Sequence, residues 1–132
     1  MTSSNELQPF IPKGYEYNLL PNNNGNPIYK SEHDSITYAR FKEEWLNRDK
    51  KPRYSFLSFD ATDNWAHNND YYQYLNHIYL VDQIIKDIWH NLRPKNIVIT
   101  TDHGRGHNVY DWQHHGKVKG SEECWCIIMG AN

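Results

Sequence analysis

Ile97-Val98-Ile99-Thr100-Thr101-Asp102-His103-Gly104-Arg105-Gly106 is the stretch from which the rest of the chain is read. Three consecutive apolar residues, all β-branched, predict a short strand buried on both faces. Two threonines finish it, and an Asp-His pair follows where the chain turns into a glycine-containing loop. In an open parallel sheet, ligands bind in the crevice just past the carboxyl ends of the strands. A carboxylate and an imidazole at that point suit a divalent metal such as zinc, which accepts both ligand types. Alone, the pair reads first as a turn-capping Asp beside an ordinary loop His; the rest of the chain shifts that balance.

Upstream, Tyr71, Tyr74, Leu75, Ile78, Val81, Ile85, Ile88, Trp89 and Leu92 keep a nearly unbroken three-four spacing, which predicts an amphipathic helix over Asp70–Asn91. Pro94 stops it. Before that helix, Tyr54-Ser55-Phe56-Leu57-Ser58-Phe59 reads as a first strand. Strand, helix, strand makes a βαβ crossover with parallel strands. That topology places Asp63 and Asp102 at one edge of the sheet. Trp125-Cys126-Ile127-Ile128-Met129 reads as a third strand, ended by Gly130. Asp34 or Ser35 is positioned to cap an earlier helix reaching Asn47, with Tyr38, Phe41 and Trp45 as its buried stripe. Residues 1–30, with Pro9, Pro12, Pro21, Pro27 and an Asn-rich turn, read as an irregular segment.

The 132 residues suffice for one domain, and 38% hydrophobic content argues against disorder. A net charge of -2 gives no general attraction to nucleic acid. No run is long enough to span a membrane, and the polar N-terminus carries no signal segment. Cys124 and Cys126 are too close along a strand for a good disulfide and read as reduced core residues. Of eight histidines, four lie between His103 and His115, a local excess that the net charge does not explain.

Asp63 and His67 are spaced so that one helical turn puts both on one face. His115, followed directly by Gly116, lies in the loop beyond Asp102. Asp63, His67, Asp102, His103 and His115 together make five candidate ligands, enough for two divalent ions of the kind that stabilise attacking and leaving oxygens. Arg105 suits an anionic ester, because guanidinium matches phosphate and sulfate. His107, His114, Lys117 and Lys119 read as neighbouring or exposed polar residues.

From Ser31 to Asn132 the chain resembles the alkaline phosphatase superfamily of metallohydrolases, which includes sulfatases, nucleotide pyrophosphatase/phosphodiesterases and phosphopentomutase-like enzymes. The matching pieces are Asp63-x-x-x-His67, Tyr71 to Asp82, Thr100-Thr101-Asp102-His103-Gly104-Arg105-Gly106, Trp112-x-x-His115-Gly116, Gly120-Ser121 and Trp125. The resemblance implies an α/β fold, the C-terminal portion of a three-layer sandwich with a mostly parallel sheet. It implies two divalent metal ions, zinc first, with calcium, manganese and magnesium as alternatives. Asp63, His67 and His115 would hold one ion, while Asp102 and His103 would belong to the second.

The family also uses an Asp at the end of its first strand and a Ser, Thr or formylglycine nucleophile. Residues 1–53 offer neither in a suitable setting. The expectation is therefore a fragment of a hydrolase of phosphate or sulfate esters, lacking its nucleophile, inactive alone and partnered by the missing N-terminal half. Many relatives are exported, so the parent's compartment stays open. The alternatives are a non-catalytic metal-binding module, a phosphoryl-transferring mutase-like relative, and a truncated frame with no function of its own. Should the chain be active, Ser31, Ser35, Thr37 and Thr62 are the nucleophiles to examine.

Overall fold

The computed structural model describes residues 32–130. The irregular segment 1–30, the expected boundary at residue 31 and Ser31 itself lie outside the described residues. The chain divides into two compact units, Met1–Asn64 and Trp65–Asn132.

In the first unit, α1 runs from Glu32 to Asn47. Its aromatic stripe forms as expected, with Tyr38, Phe41 and Trp45 half-buried and the rings of Phe41 and Trp45 5.8 Å apart. The helix ends on Lys51, whose ammonium donates to the carbonyls of Trp45, Leu46 and Arg48. A cation there satisfies carbonyls that a helix end leaves without partners. Asp34 does not cap α1, which starts two residues earlier. Its fully buried carboxylate instead accepts hydrogen bonds from the backbone N–H of Asp60 (3.3 Å) and Ala61 (3.1 Å). Those groups open α2, Ala61–His67.

The expected strand over Tyr54–Phe59 does not form; only Ser58 makes a bridge. Tyr54 and Phe56 are exposed, and the run has no β-branched residue to favour a pleated surface. Without that strand no parallel crossover is present among the described residues.

α2 continues across the boundary between the units as one helix. In the second unit, α3 covers Tyr71–Asp87, with the Asp70 side chain accepting from Gln73 N–H at 3.0 Å as its N-cap. The last turn of the expected helix widens into a π-helical turn, Ile88–Leu92, closed by Arg93 in the left-handed region at φ 49° ahead of Pro94. Two strands follow, β1 (Asn96–Thr100) and β2 (Cys126–Gly130), paired antiparallel with Val98 opposite Ile128. The architecture among the described residues is therefore three α-helices and a two-stranded antiparallel sheet. It is α/β in content, and the mostly parallel, three-layer arrangement is not present among these residues.

The packing also departs from the sequence reading. Ala66, His77, Ile84 and Leu92 are buried in the second unit, while Leu75 and Ile78 are exposed and Val81, Ile85 and Ile88 are half-buried. The buried stripe of α3 is thus rotated by about one residue. The sheet has a half-buried side formed by Ile97, Ile99 and Met129, but Val98 and Ile128 face outward. Cys124 and Cys126 are free and exposed, not core residues. No helix among the described residues is long and apolar enough to cross a membrane.

Candidate metal centre

α2 sets the first two candidate ligands. Its opening turn is fixed by N–H groups of Asp63 and Asn64 donating to Asp60 O at 3.1 and 3.3 Å. Asp63 and His67 then stand one turn apart, so α2 itself holds them on one face. After His67 the chain turns sharply. Asn69 takes φ 57°, its N–H donates to Ala66 O at 2.9 Å, and Asp70 N–H donates to Trp65 O at 3.0 Å.

The other candidates sit in the long connection between β1 and β2. Cross-links knit this loop: Gly104 N–H to Ser121 O at 2.9 Å, Gly106 N–H to His114 O at 3.3 Å, and Ser121 Oγ to Gly116 O at 2.8 Å. Gly104 is required because a Cβ there would collide with the backbone oxygens of Gly120 and Glu123. Gly116, directly after His115, takes φ 91°, which favours glycine.

This loop delivers His115 to His67, with ring centroids 5.0 Å apart at 64°. His103 also stacks on His115, at 4.2 Å and 23°. One ligand atom each from Asp63, His67 and His115 lies within 4.8 Å of the other two. Among the described residues no second group of three such side chains comes together in this way.

The set fits an ion. Ligands bound to one tetrahedral zinc at about 2.0–2.2 Å sit roughly 3.3–3.6 Å apart, so closing on a metal draws these side chains together by up to about 1–1.5 Å, within reach of rotamer adjustment. One carboxylate and two imidazoles are a three-ligand set of the type that leaves a position open for water or substrate.

Asp102 and His103 border this group without joining it. The Asp102 side chain is 89% exposed, with Oδ1 accepting from His103 N–H at 3.0 Å and Oδ2 3.8 Å from His103 Nε2. His103 Nδ1 lies 2.8 Å from Gly104 O, a carbonyl that can only accept, so Nδ1 is the donor, which leaves Nε2 as the ligand atom of the neutral ring. That is the usual tautomer arrangement of a metal-binding imidazole. Arg105 is half-buried, whereas His107 is exposed and bonded to Glu123 at 3.1 Å. His114, Lys117 and Lys119 are exposed. Of the nucleophile candidates, Ser35 and Thr62 are half-buried and Thr37 is fully buried.

Two further residues were not marked by their spacing as part of a site. Asn69 Oδ1 accepts from Trp112 Nε1 at 3.0 Å, and the Trp112 ring meets Tyr71 and Tyr74 edge-on. Only the Trp112-x-x-His115 spacing hinted at a link between this tryptophan and a ligand.

A sequence profile of the metalloenzyme superfamily matches residues 6–118. The chain belongs to the metalloenzyme superfamily. This is the alkaline phosphatase-like family that the motifs resemble. The match contains all five candidate ligands, begins upstream of residue 31 and ends ahead of β2. Membership makes the chain a relative of metal-dependent enzymes, and Asp63, His67 and His115 are a group among the described residues that could hold an ion. Neither a curated protein nor a solved structure matches the chain.

Proposed function

We propose that this chain is the metal-holding portion of a hydrolase acting on phosphate or sulfate esters. The observation that carries this reading is the convergence of Asp63, His67 and His115 to within 4.8 Å in a member of a metalloenzyme family. Asp63, His67 and His115 would hold the first divalent ion, with Asp102 and His103 contributing to a second beside it. Zinc best suits a site of one carboxylate and two imidazoles, which carries no thiolate. Bound there, such ions polarise ester oxygens and lower the pKa of bound water. Around them, His67 and His115 present ring nitrogens, and Arg105 would take an anionic ester oxygen.

The chain supplies no suitable nucleophile among its described residues. Thr37 is sealed from solvent, and Ser35 and Thr62 are half-buried. Covalent catalysis by this chain alone is therefore not expected. The complete domain would add the parallel strands and the nucleophile. Support for such a missing layer comes from the sheet, whose two strands are both edges among the described residues and carry exposed Val98, Ile127 and Ile128. Natural proteins cover or blunt edges of this kind. A metal-binding module without turnover is the second reading, favoured by the solvent exposure of His67 and His115.

The test is hydrolysis of nitrophenyl phosphate, bis-nitrophenyl phosphate and nitrophenyl sulfate by zinc-loaded protein. Slow turnover, orders of magnitude below a complete enzyme and abolished in His115→Ala, supports the hydrolase reading. Robust turnover would mean a nucleophile is present, and turnover unchanged in His115→Ala would remove the metal site from the account.

A further inference from the structure

We propose that Asn69 and Trp112 form a latch that sets the spacing of His67 and His115; this rests on the metal-site reading above. The latch joins two elements that sequence keeps far apart. Asn69 lies two residues after His67, at the corner between α2 and α3. Trp112 lies three residues before His115, in the loop after β1.

Each side of the link is itself held. Asn69 sits in the left-handed region at φ 57°, a conformation that Asn tolerates better than most side-chain-bearing residues. Its N–H is tied to Ala66 O at 2.9 Å, which fixes the direction of its amide. Trp112 is anchored by its backbone N–H, which donates to Asn108 O at 2.9 Å. Its ring meets Tyr71 at 5.4 Å and 89° and Tyr74 at 5.8 Å and 71°, and those two rings stack on each other in the first turn of α3. Edge-to-face contacts of this kind add stabilisation beyond burial. The Trp112 Nε1–H···Oδ1 Asn69 bond at 3.0 Å then fixes the tryptophan's rotation.

From Trp112 to His115 the path is short and stiff, because His114 N–H donates to Asp111 O at 2.8 Å. Moving Trp112 therefore moves His115 relative to His67. A metal site on two separate segments gains affinity when its ligands are held in place before the ion arrives. Asn69 and Trp112 are positioning residues in this sense and touch no metal themselves.

Trp112→Phe keeps an aromatic ring and removes the N–H donor. Asn69→Gly keeps the left-handed backbone and removes the acceptor, while Asn69→Asp keeps an acceptor oxygen. Zinc affinity is read by competition with a chelating dye. Trp112→Phe and Asn69→Gly should weaken it about 10- to 100-fold, the usual cost of losing a supporting partner. The double variant should be no weaker than the worse single one, since both break one bond. Asn69→Asp should restore tight binding. A second readout needs no metal: nuclear Overhauser contacts between the His67 and His115 rings, present in the metal-free wild type and lost in Asn69→Gly. Loss of those contacts in a protein that binds no zinc would uphold the latch and refute the metal function. Unchanged contacts and unchanged zinc affinity in Trp112→Phe and Asn69→Gly would overturn the latch.

Discussion

Replacing Asp34 with Ala tests how the first unit is tied together. Asp34 is fully buried, and its two oxygens take the backbone N–H groups of Asp60 and Ala61 at 3.3 and 3.1 Å. Alanine leaves both donors without that acceptor at the start of α2. A buried donor deprived of its partner costs about 1–3 kcal/mol, and losing a capping side chain costs about 0.5–2 kcal/mol. These overlap, since the cap consists of the same bonds, so the expected loss is about 2–4 kcal/mol. Asp34→Asn retains one carbonyl acceptor and should lose roughly half as much, because bonds to a charged group are the stronger ones. Urea unfolding followed by far-ultraviolet circular dichroism measures both, with the midpoint falling and the slope constant. An Asp34→Ala protein within about 0.5 kcal/mol of wild type would show that α2 does not depend on this carboxylate.

The position of the buried stripe on α3 is testable with a pair of substitutions: Ile84→Ala should cost about 2–5 kcal/mol as a buried deletion, and exposed Ile78→Ala much less. A reversed order in thermal unfolding would restore the stripe read from periodicity. Gly104→Ala should destabilise by about 1–3 kcal/mol or more, because its Cβ meets the backbone of Gly120 and Glu123, which cannot yield as a flexible side chain would. Unchanged thermal stability in that variant would mean the loop is held less closely than its Gly104–Ser121 hydrogen bond implies.

Local signals in the sequence were read well where the element depended on its own residues. Ile97-Val98-Ile99 is indeed a strand, Trp125–Met129 overlaps another, and the long three-four pattern is a helix stopped ahead of Pro94. Features that depend on distant partners were not legible. Tyr54–Phe59 has a strand-like composition of aromatics, yet pairing decides whether a strand exists, and the expected parallel partner relation does not form. The parallel relation expected between that run and β1 is accordingly not seen among the described residues. The stripe of α3 was misplaced because its apolar residues nearly encircle the helix, so periodicity alone does not say which are covered. Asp34 illustrates the same limit, since its role is played 26 residues away. The candidate site was more legible: Asp63 and His67 share a helix turn, and the Asp-His-Gly and His-Gly pieces sit in a loop kept tight by glycines. Trp112 was marked only by its spacing to His115, and Asn69 carries no mark, because their bond spans 43 residues.

Zinc affinity of single alanine variants tests the central claim most directly. The wild-type chain should bind one equivalent of zinc through Asp63, His67 and His115, with dye competition reporting the constant. Asp63→Ala, His67→Ala and His115→Ala should each lose that binding, while Asp102→Ala, whose carboxylate is exposed outside the group, should largely retain it. A wild-type protein that fails to compete with the dye, or His67→Ala and His115→Ala variants that bind as the wild type does, would contradict the assignment of this cluster as the metal centre.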